Sequence, residues 1–156
     1  MMFVLNILLG LAWMVLVGGY SPSDFFHGVL LGYSLLWLVR DALPPSRYFL
    51  KVPQAIGLLL FFMWELLRAN LKVAYEVITP RNFMVPGIVA VPIDLESDAA
   101  ITLFTSMITL TPGTLSLDVS TDRSVVYVHT MYVHDAAEFR RELKEGLERR
   151  IKEVLE

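Results

Sequence analysis

The sequence predicts a two-part architecture: a membrane α-helical N-terminal half with three hydrophobic helices, then a small C-terminal α/β domain in β-α-β-β-α order. Three observations carry this prediction. First, 55% of the 156 residues are hydrophobic and only 19% are charged, whereas soluble domains run at about 45–50% and about 25%. Second, the charge is uneven: residues 1–78 hold five Lys/Arg and four Asp/Glu, while residues 79–156 hold eight and twelve. Third, the first half consists of long apolar runs and the second of short alternating segments, the two solvents' different signatures.

Met1 to Ser23 contains no Lys, Arg, Asp or Glu. Phe3, Leu5, Ile7, Leu8, Leu9, Leu11, Trp13, Val15 and Leu16 make the first helix (about 2–19) apolar all round, as a lipid-embedded helix must be. A cleaved signal peptide is the competing reading, but it wants a basic leader and a small-residue cleavage site. Gly18-Gly19-Tyr20-Ser21-Pro22-Ser23-Asp24 breaks the helix and restarts it, with Ser21 or Ser23 as cap and Asp24 in the first turn. The second helix (about 24–40) is at the short end for a span. Gly28 and Gly32 form a small-xxx-small pair on one of its faces, a pattern that lets helices approach closely. His27, near the turn, reads as a hydrogen-bonded structural residue. Trp37 and Tyr48 fit either an interfacial belt or packing against a neighbouring helix.

The third helix (about 50–79) starts uncharged and becomes amphipathic. Leu67, Leu71, Ala74, Tyr75 and Ile78 recur with helical period, and Glu65, Arg68, Lys72 and Glu76 take the other face. No Gly or Pro falls between Leu58 and Thr79, so the helix is expected to leave the membrane, with Glu65, Arg68 and Lys72 as ionisables at its rim. Orientation is ambiguous. Arg40, Arg47 and Lys51 precede this helix, and Arg68, Lys72 and Arg81 sit at its far end. The positive-inside rule cannot place both ends of one span in the cytoplasm. Three spans with a cytoplasmic C-terminal domain is the expectation, and a third helix that only grazes the bilayer is its rival.

Pro80 and Pro86-Gly87 end the helix, and residues 86–156 form the second domain. Ile88 to Leu95 reads as a strand with Pro92 marking a sheet edge, and Ser97-Asp98 starts a helix. Ala99 to Leu117 is uncharged, yet about 13 residues studded with Thr and Ser precede Pro112, too short and polar for a fourth span. Thr114 to Val119 and Ser124 to Val133 alternate as strands around a Ser-Thr-Asp-Arg turn, a hairpin. Asp135 starts a last helix with an i+4 stripe of Phe139, Leu143, Leu147 and Ile151. Its other faces are solvated, with Glu145–Arg149 and Glu148–Lys152 spaced for ion pairs.

Several chemistries are disfavoured. There is no cysteine, which removes disulfides, thiol catalysis and cysteine-ligated metals. The mildly acidic second half argues against nucleic acid. His129 and His134 lack a zinc-binding arrangement, and no elbow motif frames Ser106 as nucleophile beside Asp118 and His129. No Walker lysine follows Pro112-Gly113. No catalytic residue, cofactor or metal is expected. The membrane half also lacks the row of buried acids that a pump would need.

The run Ile108-Thr109-Leu110-Thr111-Pro112-Gly113-Thr114-Leu115-Ser116-Leu117-Asp118-Val119, with Val126-Tyr127-Val128-His129 downstream and Val91-Pro92-Ile93-Asp94-Leu95 upstream, resembles the E subunit of Mrp-type (multiple resistance and pH) sodium/proton antiporters. The resemblance implies a non-catalytic accessory subunit whose partners are other hydrophobic subunits and the lipid bilayer of the cell membrane. Homologues also sit in the Mrp-like module of membrane-bound hydrogenases and sulfur reductases. For Thr109, Thr111, Pro112, Gly113, Thr114, Asp118 and His129 it implies a motif serving the fold and a subunit contact. The alternative from another class is an independent membrane-anchored α/β domain that binds a soluble ligand.

Overall fold

The structure, a computed structural model, describes residues 1–79, 84–133 and 135–156. Pro80, Arg81 and His134, singled out above, lie outside the described residues. The chain divides into two compact units, Met1–Val52 and Pro53–Glu156.

The first unit holds α1 (Met2–Val17) and α2 (Pro22–Leu38). Gly18 ends α1 at φ 68°, and the Gly18 and Gly19 amides donate back to the Val15 and Met14 carbonyls at 3.3 and 3.2 Å. This is the paired closure that a left-handed residue permits at a helix end. Ser21 then caps α2 in a reciprocal box: Ser21 Oγ accepts from the Asp24 amide, and Asp24 Oδ2 accepts from the Ser21 amide at 3.1 Å. Pro22 occupies the first turn, where its missing N–H is not needed. Glycines set the α1–α2 contact. A Cβ on Gly28 would come within 2.7 Å of the Gly10 carbonyl oxygen and 2.8 Å of Trp13 Cβ, and one on Gly32 would collide with Asn6 Oδ1. Asn6, 1% exposed, donates from Nδ2 to Tyr48 Oη at 2.7 Å. Tyr48 in turn packs edge-on against Phe3, Tyr33 and Phe49.

α3 (Tyr48–Ile78) is one 31-residue helix that contains Pro53. Proline lacks the amide its turn would use, and the boundary between the units falls at that residue. Among the described residues α3 is the one helix of 18 or more residues whose composition suits a membrane span. α1 and α2, at 16 and 17 residues, lie below or at the shortest spans, so helical structure in the N-terminal region stands without a count of spans.

The second unit carries an antiparallel sheet in the order β1 (Gly87–Pro92), β3 (Val125–Thr130), β2 (Thr114–Val119). Pro92 ends the edge strand β1, where no ladder amide is required. β2 and β3 form the hairpin, with a register shift between Ser116 and Asp118. α4 (Asp98–Leu110) follows β1. It buries Ala100, Ile101, Phe104, Met107 and Ile108 against Val89, Val91, Val126 and Val128 of the sheet. The terminal helix runs as α5 (Ala136–Glu142), a π-helical segment Leu143–Glu148, and α6 (Arg149–Leu155). An i+4 stripe drifts about 40° per step on a regular helix. The wider π turn reduces that drift and brings Leu147 and Ile151 into the same core as Phe139 and Leu143.

Two sequence readings change here. Leu58 and Phe62 of α3 belong to this domain's core, although the sequence places them in an all-apolar membrane stretch. Periodicity reports that a face is apolar, not what covers it. The tail helix is also less solvated than its composition implies. Glu148 is 3% exposed; its Oε1 accepts from the Asp94 amide at 2.6 Å and lies 3.2 Å from Lys144 Nζ. Lys152 donates to the Asp94 carbonyl at 2.9 Å, and Glu156 Oε1 accepts from the Glu96 and Ser97 amides at 2.7 and 3.1 Å. These side chains clasp the β1–α4 connection.

Candidate functional site

The motif between α4 and β2 is built from hydroxyls that answer carbonyls. A helix leaves its last carbonyls without intrahelical partners. Thr111 Oγ1 donates to the Met107 carbonyl at 2.9 Å, and Thr114 Oγ1 to that of Ile108 at 2.6 Å. Ser116 Oγ donates to the Thr105 carbonyl at 3.0 Å, and Thr109 Oγ1 accepts from the Ser116 amide at 3.2 Å. Pro112 follows the C-cap Thr111 and prevents continuation of the helix. Gly113 turns the chain at φ 89°, a conformation that side-chain-bearing residues resist. A Cβ there would lie 3.0 Å from the Tyr132 ring. Its carbonyl accepts from the Met131 amide at 2.9 Å, which joins the turn to the end of β3.

Tyr132 carries the connection on to α3. Its hydroxyl donates to Glu76 Oε2 at 2.6 Å, and Lys72 Nζ stands 3.3 Å above its ring. Burial, then the hydrogen bond and charge of Glu76, push the phenol up to about 12. Glu65, Arg68 and Lys72 line a groove of about 300 Å³ together with Thr111, Pro112, Thr114 and Tyr132. Asp135, Glu138 and Glu142 form its other charged wall. The structure thus brings the three ionisables of α3 and the first part of the motif to one place. A neighbouring cavity of about 490 Å³ shares Glu65, Arg68, Thr111 and Thr114. Beside it Arg150 stacks over Phe61 at 4.0 Å and donates from Nη1 to the Gly146 carbonyl at 2.7 Å.

Asp118 and His129 are elsewhere. Asp118 sits at the register shift, and its Oδ1 accepts from the Val119 amide at 2.8 Å. His129 pairs with Ile88 and Leu115 across the sheet, on the face opposite buried Val126, Val128 and Thr130. That face is open: Ile88, Leu115, Leu117 and Tyr127 are all exposed, with Asp118 paired to Tyr127 among them. Sequence reading missed the Asp94–Lys144–Glu148 cluster. The Lys144 ammonium, 2.8 Å from Asp94, lowers the Asp94 carboxyl by hydrogen bonding and charge. Burial pulls Lys144 down, but its bonds to Asp94 and Glu148 outweigh that and hold it above the usual lysine range. The i,i+4 spacing of Lys144 and Glu148 was a signal for half of this; the link to Asp94 had none.

The family model described as Na+/H+ ion antiporter subunit matches residues 6–154. The chain belongs to the family of Na+/H+ antiporter E subunits. It is similar to the E subunit of the Na(+)/H(+) antiporter of Bacillus subtilis, 36% identical over 151 residues covering 97% of this chain and 96% of the relative. The corresponding protein of Alkalihalophilus pseudofirmus is 35% identical over the same shares. Among solved structures, a chain of the membrane-bound sulfane sulfur reductase, an archaeal respiratory membrane complex, superposes with TM-score 0.60 at 26% identity. That match covers 99% of this chain and 98% of the other. A chain of the Mrp complex from Dietzia sp. matches with TM-score 0.51 at 29% identity, over 65% of this chain and 96% of the other. For this member of the E-subunit family, then, full-length likeness reaches both an antiporter and a respiratory complex.

Proposed function

We propose that this chain is a non-catalytic accessory subunit of a multi-subunit monovalent cation (Na+)/proton antiporter complex in the cell membrane. The observation that carries the reading is family likeness across nearly the whole chain, helical region and domain together, to proteins named as antiporter subunits. The site geometry supports the non-catalytic part. The motif's hydroxyls are engaged with backbone carbonyls, and Lys72 and Glu76 hold Tyr132. On this reading Lys72 and Glu76 anchor the domain to α3 through Tyr132, Glu65 and Arg68 line the groove beside them, and Glu65, Arg68 and Lys72 do not lie on an ion path. The chain is multi-pass through its N-terminal helices, with residues 86–156 on the cytoplasmic side.

The motif's outward residues provide the subunit contact. On the open face of the sheet Ile88, Leu115, Leu117 and Tyr127 are exposed, and uncovered apolar surface of this kind is a mark of a partner surface. A Leu115→Glu/Leu117→Glu double variant should fold and accumulate yet lose its partners on mild-detergent affinity purification. Full retention of partners would remove this face from the interface.

The likeness to the sulfane sulfur reductase chain over 99% of this sequence favours a second placement, the same subunit within an Mrp-like module of a respiratory complex. Mass spectrometry of proteins co-purified at natural expression level separates the readings. Antiporter-like proteins alone indicate an antiporter. The same proteins with iron–sulfur subunits indicate a redox-driven complex. The chain alone would favour an independent membrane-anchored domain that binds a soluble ligand.

A further inference from the structure

α3 has two faces that call for different surroundings. From Pro53 onward its four charged residues, Glu65, Arg68, Lys72 and Glu76, all project to the side that meets the α/β domain. Glu65, Arg68 and Lys72 line the groove and Glu76 bonds Tyr132. The opposite side carries Ile56, Leu60, Met63, Leu67, Leu71 and Ile78, each between 46% (Met63) and 81% (Ile78) exposed. This stripe has no charge and runs for roughly 33 Å at about 1.5 Å per residue. It is too broad for a coiled-coil seam, because Leu59, Trp64, Tyr75 and Val77 widen it on both sides. Asn70, on its border, returns its Nδ2 proton to the Leu66 carbonyl at 2.8 Å.

A spanning α3 conflicts with this packing. Phe61 is covered by Arg150 at 4.0 Å and by Gly146, and Glu145 and Arg149 flank the same cavity. Charged groups of a folded domain are costly inside hydrocarbon, so Phe61 stands at the level of water. Only residues 48–60 remain for the bilayer core, about 20 Å of helix against the roughly 30 Å needed.

We infer that α3 does not cross the membrane but lies along its surface, its Ile56–Ile78 stripe sunk into the headgroup–acyl boundary and the α/β domain seated on its upper face. An in-plane helix with one broad apolar side and charges on the other is the form this binding takes. The lysines and arginines independently support the lipid surface as occupant. All five in residues 1–78 (Arg40, Arg47, Lys51, Arg68 and Lys72) come after α2, and the α1–α2 turn has none. If α3 spans, these cations divide between the two sides. If it lies flat, all five share one leaflet, the cytoplasmic one by the positive-inside rule, and can face its anionic lipids. This inference rests on the membrane placement proposed above and departs from the third span that the sequence predicts.

The chain contains no cysteine, so single cysteines report cleanly. Tyr20→Cys, Asp41→Cys and Thr121→Cys should be placed in the full chain expressed with its natural neighbours. A membrane-impermeant maleimide is then applied to intact cells and to inverted vesicles. Asp41→Cys and Thr121→Cys should both label only in inverted vesicles, and Tyr20→Cys only in intact cells; labelling of Asp41→Cys and Thr121→Cys from opposite sides would overturn the inference. Nitroxides at Leu60, Leu67 and Leu71, in the purified protein reconstituted into phosphatidylglycerol-containing vesicles, should show equal shallow depth by collision with oxygen. A depth that changes along the three positions would indicate a span, and exclusion of both oxygen and an aqueous nickel complex would indicate a protein cover; either result defeats it. Co-purified proteins are scored in the same preparations, so a failure of the accessory-subunit reading appears separately from a failure of the depth pattern.

Discussion

The α1–α2 pair and the α/β domain solve the packing problem by opposite means. In Met1–Val52 large side chains point outward, and close contact comes from what is missing: Gly10, Gly28 and Gly32 let two helices touch backbone to side chain. In Pro53–Glu156 large side chains point inward, with Phe104, Val91, Val126, Val128 and Ile151 fully buried. For helices apolar all round, burial of apolar area does not select one face over another, so shape sets the contact, the same rule that governs helix pairs in lipid. In the second unit water drives apolar area inward, and volume sets the contact. The polar groups follow the same division. The first unit buries one amide, Asn6, held by Tyr48. The second buries Thr130, Glu76 and Glu148, and each of the two glutamates is tied to a distant element.

The largest expected effect tests the volume side. Phe104→Ala should cost about 3–5 kcal/mol and leave a cavity between α4 and the sheet. In detergent the C-terminal unit should lose its thermal transition while helical signal from the N-terminal unit persists. Concerted loss of both would show that the two do not melt separately. On the shape side, Gly28→Leu should cost about 1–3 kcal/mol or more by overpacking, because its Cβ meets the Gly10 carbonyl oxygen, which belongs to backbone and cannot turn aside. Proteolysis within the 18–23 turn should rise. Leu31→Ala, at an exposed position, should leave it unchanged.

Tyr132→Phe keeps the ring under Lys72 but removes the proton shared with Glu76. Leaving that buried carboxylate unanswered should cost about 1–3 kcal/mol. The readout is earlier proteolysis after α3 at moderate temperature, and a Tyr132→Phe/Glu76→Gln double variant should recover part of it.

The smallest effects are in pH. Asp122 is held down to about 2, first by the Ser120 side chain and then by Ser124. A carboxyl lowered on folding stabilises above its unfolded value, about 3.9, and that contribution is lost as pH falls through about 2. Asp94, lowered by Lys144, acts in the same direction. Lys144, raised, adds stability below about 10.4 that disappears as pH rises past its folded value. The melting temperature of the domain should therefore be flat near neutrality, falling in acid and again in strong alkali. Asp122→Asn should shrink the acid limb alone and Lys144→Met the alkaline one; an acid limb unchanged in Asp122→Asn would exclude that turn as its source.

The local geometry of the motif was legible. Thr111, Pro112, Gly113 and Thr114 stand out because a hydroxyl, a helix breaker and a left-handed residue in succession announce a helix end and a turn. Gly28 and Gly32 announced a close face without naming Gly10 and Asn6 as what they touch. Glu65, Arg68 and Lys72 showed as a charged stripe, but that they line one groove with Thr111 and Thr114 depends on packing across more than 35 positions of chain. Glu148 looked like one more solvated glutamate, because nothing local distinguishes a carboxylate that faces water from one that faces the Asp94 amide.

By itself the sequence determined that helices fill the first half, where caps and breaks fall between them, and which hairpin strands alternate. These are short-range properties, set by caps, prolines, glycines and the period of apolar residues. Only the tertiary structure decided which face of α3 meets protein. Both faces have helical period, and the choice rests on Phe61, Phe62, Lys72 and Glu76 finding Arg150, the domain core and Tyr132. Those partners lie far away in sequence, and contact energies between distant residues leave no periodic trace.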